Sequence, residues 1–210
     1  MPFTLLPITR SLLLANVAVF LAQQVSDGYL VQHFALWPLG TPQWMRSGHG
    51  FEQIVFEPWQ LVSYAFLHGG LDHLVFNMLG LWLFGNAVEH ALGARRYIFY
   101  YVVCAVGAAL TQLATIAYFK PGEFYPTIGA SGSVFGLLIA FAVIYPRAPL
   151  TPFALQIPAP VAALGYLAVE LLYGITGTQE GVAHFAHLGG AAAGFALLRL
   201  WRAQALNRRD

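Results

Sequence analysis

The chain has 210 residues, 58% of them hydrophobic and 9% charged, with a formal net charge of +1 and a mean hydropathy of +0.63. A soluble domain carries roughly 25% charged residues, so this composition excludes an ordinary water-soluble globule and points to an integral membrane protein. The ten basic residues are scattered, which argues against a nucleic-acid surface, and the single Cys104 sits in an apolar run, which excludes a disulfide framework or a cysteine-based metal site.

The first apolar run, residues 11–25, follows Arg10. It is read as a helix rather than a signal peptide because further apolar segments follow and no clear cleavage site does. Residues 26–58 form a long connection with Trp37, Pro38, Pro42, Trp44 and Pro58, ending at Trp59. Tryptophan at this density, broken by proline, predicts a loop lying at the lipid interface. Further apolar runs at residues 67–85, 97–118, 131–145, 153–175 and 182–201 complete the expectation of an all-α, six-transmembrane-helix bundle in one membrane domain, residues 1–210. Pro158 and Pro160 are expected to interrupt the fifth span. Glu89 with Arg95 or Arg96 is expected to form a cytoplasmic ion pair at the turn between the second and third spans.

Orientation follows from the basic residues. With the N-terminus inside, Arg10, Arg95, Arg96, Arg147, Arg199, Arg202, Arg208 and Arg209 fall on the cytoplasmic side, and Arg46 and Lys120 outside. Positive charge favours the inner face, so both termini are predicted cytoplasmic in a multi-pass protein; a bacterial inner membrane as the location is what the resemblance to a known family given below implies. The starts of the second, fourth and sixth spans then face outward together.

Those three starts carry the polar residues. Residues 131–145 make roughly 22 Å of helix, short of a roughly 30 Å hydrocarbon core, so residues 124–129 must enter the membrane as non-helical backbone beside protein or a wet cavity. Ser131 in Gly129-Ala130-Ser131-Gly132 thereby sits below the surface at a helix start, offering a nucleophilic hydroxyl and an unpaired backbone N–H. His187 lies about 8 Å into the sixth span, at a matching depth. Gly132 and Gly136 on one helix, with Gly190, Ala191 and Gly194 on the other, allow the close approach that a Ser131–His187 hydrogen bond requires. His73 and Asn77 are one helical turn apart and can donate into the same cavity, as oxyanion stabilisers do. No carboxylate lies near His187 at motif spacing, which points to a dyad; Glu170, the intramembrane acid of the fifth span, can be argued as an orienter, but snorkelling or a structural pair is the favoured reading.

These residues resemble the rhomboid intramembrane serine proteases. The resemblance runs from Trp59 through His68-Gly69-Gly70-Leu71-Asp72-His73-Leu74-Val75-Phe76-Asn77, Leu81-Trp82-Leu83-Phe84-Gly85 with Glu89, Gly93 and Arg95, Gly129-Ala130-Ser131-Gly132, and Ala186-His187-Leu188-Gly189-Gly190. It implies cleavage of transmembrane protein substrates in the lipid bilayer by a catalytic dyad of Ser131 and His187, with no cofactor and no metal. It implies an oxyanion hole of His73, Asn77 and the Ser131 N–H, a partly embedded first loop, a capping loop at residues 176–181 and a fifth helix that gates substrate entry. Gln60 stands where the family commonly has arginine, and Phe135 where some members have tyrosine, still able to stack on His187.

Each feature has a plainer reading when taken alone. Serine and glycine are common at membrane helix contacts, and His68 and His184 are read as structural. Thr111, Gln112 and Thr115 line a water route or bond back to their own helix. Two other functions stay open beside the protease: a catalytically silent, client-binding relative, and a metal protein built on His68, His73, His184 and His187.

Overall fold

The computed structural model describes residues 5–40, 42–47, 50–150, 156–177 and 182–207. Its elements in chain order are α1 (Pro7–Gln23), α2 (Tyr29–Phe34), a hairpin of β1 (Gln43–Ser47) and β2 (Gly50–Ile54), α3 (Gln60–Ser63) with a 3-10 turn at Tyr64–Phe66, α4 (Leu71–Leu92), α5 (Ala94–Phe119), α6 (Ser131–Ile144), a short pair β3 (Pro149–Leu150) and β4 (Ile157–Pro158), α7 (Ala159–Thr176) and α8 (His184–Leu206). The helical class holds. The long first connection contains structure that the sequence does not announce: β1 and β2 pair antiparallel, with Gln43 opposite Ile54 and Ser47 opposite Gly50.

Among the described residues, six helices of 14 residues or more fall in the order of the six apolar runs. By length and composition, two of them are able to cross a membrane among the described residues, α5 and α7; α1 and α6 are shorter apolar helices. The longer α4 and α8 carry Asp72, His73, Asn77 and Glu89, and His184, His187, Arg199 and Arg202, whose polarity offsets their apolar faces. The fifth segment differs from its expected bounds. Its helix begins at Ala159 and Pro160 occupies its first turn, where a missing N–H costs nothing, so the prolines start the helix rather than interrupt it. Phe153, the expected first residue of that span, lies outside the described residues.

Helix α6 packs against α4, α5, α7 and α8, which accounts for a sequence that is apolar on every side. Leu137 and Ala140 are fully buried there, in a core shared with Leu81, Val88, Tyr97, Tyr100 and Cys104. Cys104 is a packing residue: its Sγ lies against both Gly136 and Gly194. Helices α4 and α5 join through Gly93 alone, at φ +75°, a left-handed conformation that glycine adopts without a Cβ penalty.

The expected ion pair at that turn is replaced by a helix cap. Glu89 is 3% exposed, and its carboxylate accepts the N–H of Ile8 at 3.0 Å, the N–H of Thr9 at 2.7 Å and the Thr9 hydroxyl at 2.7 Å. Asn86 Oδ1 accepts the Leu6 N–H at 2.7 Å. The first donors of a helix have no intrahelical partner, and a carboxylate there also meets the positive end of the helix dipole. Burying Glu89 is tolerable because three donors surround it, with no arginine needed.

The first connection is anchored from inside. Trp37 is 1% exposed rather than interfacial, and its indole N–H donates to the Gln32 carbonyl at 2.9 Å; Trp44 and Trp59 are the exposed tryptophans of this stretch. Gln60 is buried and bridges three backbone groups: Oε1 accepts the Trp37 N–H at 3.2 Å, and Nε2 donates to the carbonyls of Val55 at 3.2 Å and His33 at 3.4 Å. A neutral amide thus anchors this connection through hydrogen bonds alone.

Candidate active site

The segment before α6 is extended, and protein groups satisfy its backbone. Leu36 and Thr127 exchange both backbone hydrogen bonds, at 3.0 and 2.9 Å, and the Gly129 N–H donates to the Tyr64 carbonyl at 3.0 Å. Phe124 stacks on Trp37 with centroids 5.0 Å apart. The first connection therefore holds residues 124–129 in place and delivers Ser131 to the first turn of α6. Tyr64 also donates to the Ala105 carbonyl at 2.8 Å, tying the same turn to α5.

Ser131 and His187 meet as the sequence predicts: His187 Nε2 lies 2.7 Å from Ser131 Oγ. The approach depends on missing side chains. A Cβ on Gly190 would run into the backbone of Gly132, and one on Gly132 would meet the Ala108 side chain. The expected small faces are thus in contact at Gly132 and Gly190, whereas Gly194 turns to Tyr100 and Cys104 on α5. A second close seam, Gly107 and Thr111 of α5 against Gly189 and Ala193 of α8, is not evident in the sequence. Phe135 lies parallel to the His187 ring, with centroids 4.6 Å apart.

His73 faces the same point. A methyl group on Gly129 would lie 2.7 Å from His73 Nε2 and 3.7 Å from Ser131 Oγ, so a single carbon would touch both atoms. His73 Nδ1 accepts the Gly69 N–H at 3.3 Å, which leaves the ring proton on Nε2, the nitrogen turned toward the serine. Asn77 is buried one turn below, and its Nδ2 donates to the His73 carbonyl at 3.0 Å, using one of its two amide hydrogens. His68 is 2% exposed, with its ring edge-on to His73 at 5.1 Å. Its backbone is clamped at both polar groups by Gln23 of α1: the N–H donates to Oε1 at 2.9 Å and the carbonyl accepts from Nε2 at 3.2 Å.

The pair expected of Glu170 falls at the site itself. Glu170 reaches from α7 to the start of α8, where its Oε2 accepts from Nδ1 of His187 and from Nδ1 of His184, both at 2.7 Å. His187 accordingly has a carboxylate behind it, against the expectation of an isolated dyad; Glu170 does not snorkel but is paired, as the other half of its expected reading has it, and it stands where an orienter would. A lone acid in an apolar helix is the signal that could have found it, because such a group must be paired. The ligating atoms of Glu170, His184 and His187 lie within 4.8 Å of one another. The four histidines weighed as a metal site do not gather in this way among the described residues. Thr111 and Thr115 bond back to the carbonyls of Gly107 at 2.9 Å and Thr111 at 2.8 Å, as the second of their two readings has it. Most of the expected capping loop, residues 178–181, lies outside the described residues.

A family model described as Rhomboid domain matches residues 55–204. The chain belongs to the rhomboid family. The chain is 28% identical over 175 residues to RHOMBOID-like protein 12, mitochondrial, of Arabidopsis thaliana, covering 76% of this chain and 52% of that protein. It is 29% identical over 178 residues to Rhomboid protein 1, mitochondrial, of Saccharomyces cerevisiae, covering 80% and 49%. It is 26% identical over 199 residues to Rhomboid protease GlpG of Yersinia pestis, covering 93% and 62%. The chain thus spans about half to three fifths of the length of these rhomboid relatives. Two of them are mitochondrial by name, so family membership does not tie this rhomboid to a bacterial inner membrane.

Proposed function

We propose that this rhomboid-family protein is an intramembrane serine endopeptidase that cleaves transmembrane proteins near the outer face of the membrane. The observation that carries the reading is the 2.7 Å contact between Ser131 Oγ and His187 Nε2 at the N-terminus of α6. In this reading the Ser131 hydroxyl passes its proton to Nε2 as Oγ attacks the scissile carbonyl carbon, and the C=O π electrons move onto oxygen. The oxyanion is met by the Ser131 N–H, the His73 Nε2–H and the second Asn77 amide hydrogen. The Nε2 proton then passes to the leaving amine as the C–N bond breaks, and water repeats the sequence to release the acyl group from Ser131. Relatives named as a rhomboid protease support the activity, and a composition of 58% hydrophobic residues supports the membrane.

The same proposal includes six spans, one membrane domain over residues 1–210 and cytoplasmic termini. It is supported by six helices in the expected order and by the convergence of the starts of α4, α6 and α8 on one site. The test is labelling with a fluorophosphonate probe beside cleavage of a transmembrane reporter in proteoliposomes. Wild type is expected to label and cleave, and Ser131→Ala to do neither. Reporter cleavage that survives in Ser131→Ala would overturn the reading.

A further inference from the structure

The carboxylate behind His187 has a consequence for the chemistry that the serine–histidine pair alone does not require. Glu170 Oε2 accepts at 2.7 Å from His187 Nδ1, and on the other side of the ring His187 Nε2 lies 2.7 Å from Ser131 Oγ. An ionised carboxylate only accepts hydrogen bonds, so the ring proton of His187 sits on Nδ1 and Nε2 presents its lone pair to the hydroxyl. Glu170 is held in turn, because the same Oε2 accepts from His184 Nδ1 at 2.7 Å. The side chains of Glu170, His184 and His187 are 14%, 5% and 10% exposed, so water competes little for these bonds.

The placement of Glu170 on α7 adds to this. Helix α7 buries Ala159, Ala162 and Ala163 in its first turns, whereas Val169, Leu171, Leu172 and Ile175 around Glu170 are exposed. The acid therefore belongs to the inward face of this stretch, with Tyr173, whose ring meets that of His184 with centroids 5.6 Å apart, and Gly174, which lies against Phe185.

We propose that Glu170 is a positioning residue for the Ser131 reaction: it locks His187 in the tautomer with a bare Nε2 and stabilises the imidazolium formed when that nitrogen takes the serine proton. This rests on the protease reading above. The site then works as a Ser131–His187–Glu170 relay, with the acid supplied by the helix next to the one that carries the base. The serine proton moves to Nε2, the Nδ1 proton stays on nitrogen, and Glu170 remains ionised throughout.

The test compares wild type with Glu170→Gln and Glu170→Asp, reading reporter turnover, KM, thermal midpoint and the His187 tautomer. The tautomer comes from long-range proton–nitrogen correlation spectra of 15N-histidine-labelled protein in detergent. In Glu170→Gln the side chain keeps its size and can donate to Nδ1, allowing the proton to move to Nε2. The expected result is a fall in kcat on the order of 10²-fold with little change in KM or midpoint, and partial recovery in Glu170→Asp. The wild-type spectrum is expected to show His187 protonated at Nδ1 and bare at Nε2, and Glu170→Gln to lose that preference. A helix tether without a role in the reaction would lower the midpoint and leave kcat of the folded enzyme within about threefold of wild type, which overturns the proposal. So would a wild-type His187 protonated at Nε2. Because the tautomer is read without turnover, a wild type that neither labels nor cleaves would defeat the protease reading while the spectra still judge Glu170.

Discussion

The imidazole of His187 lies flat on the ring of Phe135, with centroids 4.6 Å apart and planes 7° from parallel. Phe135 is one turn beyond Ser131 on α6, so the helix that carries the nucleophile also braces the face of the base. Such a ring pair contributes about 0.5–1.5 kcal/mol beyond area burial. If that energy serves to orient the imidazole, Phe135→Leu is expected to lower kcat by about 3–10-fold with the fold intact. Phe135→Tyr keeps the flat face and is expected to stay near wild type. Equal turnover in Phe135→Leu would show that Glu170 and the α6–α8 seam orient the ring without help.

Glu89 offers a test of stability away from the chemistry. Its carboxylate satisfies the N–H groups of Ile8 and Thr9 and the Thr9 hydroxyl, which is also 3.2 Å from the Tyr97 hydroxyl. Glu89→Ala leaves these groups buried without their acceptor, at about 1–3 kcal/mol for each unmet group. A clear drop in the thermal midpoint in detergent is expected, with a smaller drop for Glu89→Gln. Arg95→Gln is expected to stay within about 0.5 kcal/mol of wild type. A reversed order would restore the ion pair that the sequence suggests.

How much of this could be read from the sequence depends on how far apart the partners lie along the chain. Ser131, His187, His73 and Asn77 stand out because each is a polar residue near the start of an apolar run, and matched depth suggests that they meet. The partners of Glu89 are not legible in the sequence because Arg95 and Arg96 stand near it along the chain, whereas Thr9 and Ile8 of α1 are 80 and 81 residues away. Glu170 was visible as an acid needing company, but which group it meets depends on how α7 rests on α8, and helical periodicity says nothing of that. Glycines occur throughout the helices, so the pattern suggests close contacts without telling the Gly132–Gly190 contact from the Gly107–Gly189 seam. The hairpin at Gln43–Ile54 escaped because tryptophan and proline in that stretch suggested a loop at the membrane surface.

Gln60 gives a third prediction. It gathers the backbone of Trp37, Val55 and His33, and the strand beside Trp37 pairs through Leu36 with Thr127, four residues before Ser131. Gln60→Ala removes all three bonds inside a buried site, and the expected destabilisation is about 1–3 kcal/mol. Fluorophosphonate labelling of Ser131 is expected to slow as the support for residues 124–129 loosens. Gln60→Arg carries a charge into a site that is 1% exposed and is expected to lower the midpoint more than the alanine. A more stable arginine variant would mean that the loop can recruit a carboxylate.

The contact between Gly132 and Gly190 sets the distance on which the whole site depends. A Cβ on Gly190 would overlap the carbonyl and Cα of Gly132, and backbone cannot rotate aside as a side chain can. Gly190→Ala must therefore push α8 away from α6, one turn below the 2.7 Å contact between His187 and Ser131. Misplacing reacting groups by about 1 Å can cost on the order of 10²-fold in rate, and overpacking a core costs about 1–3 kcal/mol. Gly190→Ala is expected to show both losses, in labelling rate and in thermal midpoint. Gly165 of α7 is the matching control: nothing lies within 4 Å of a Cβ built there. Gly165→Ala is expected to leave labelling unchanged and to add about 0.5–1 kcal/mol through helix propensity. Wild-type labelling in Gly190→Ala would show that the seam yields without moving His187, and the distance would then have to be held from the α7 side, through Glu170.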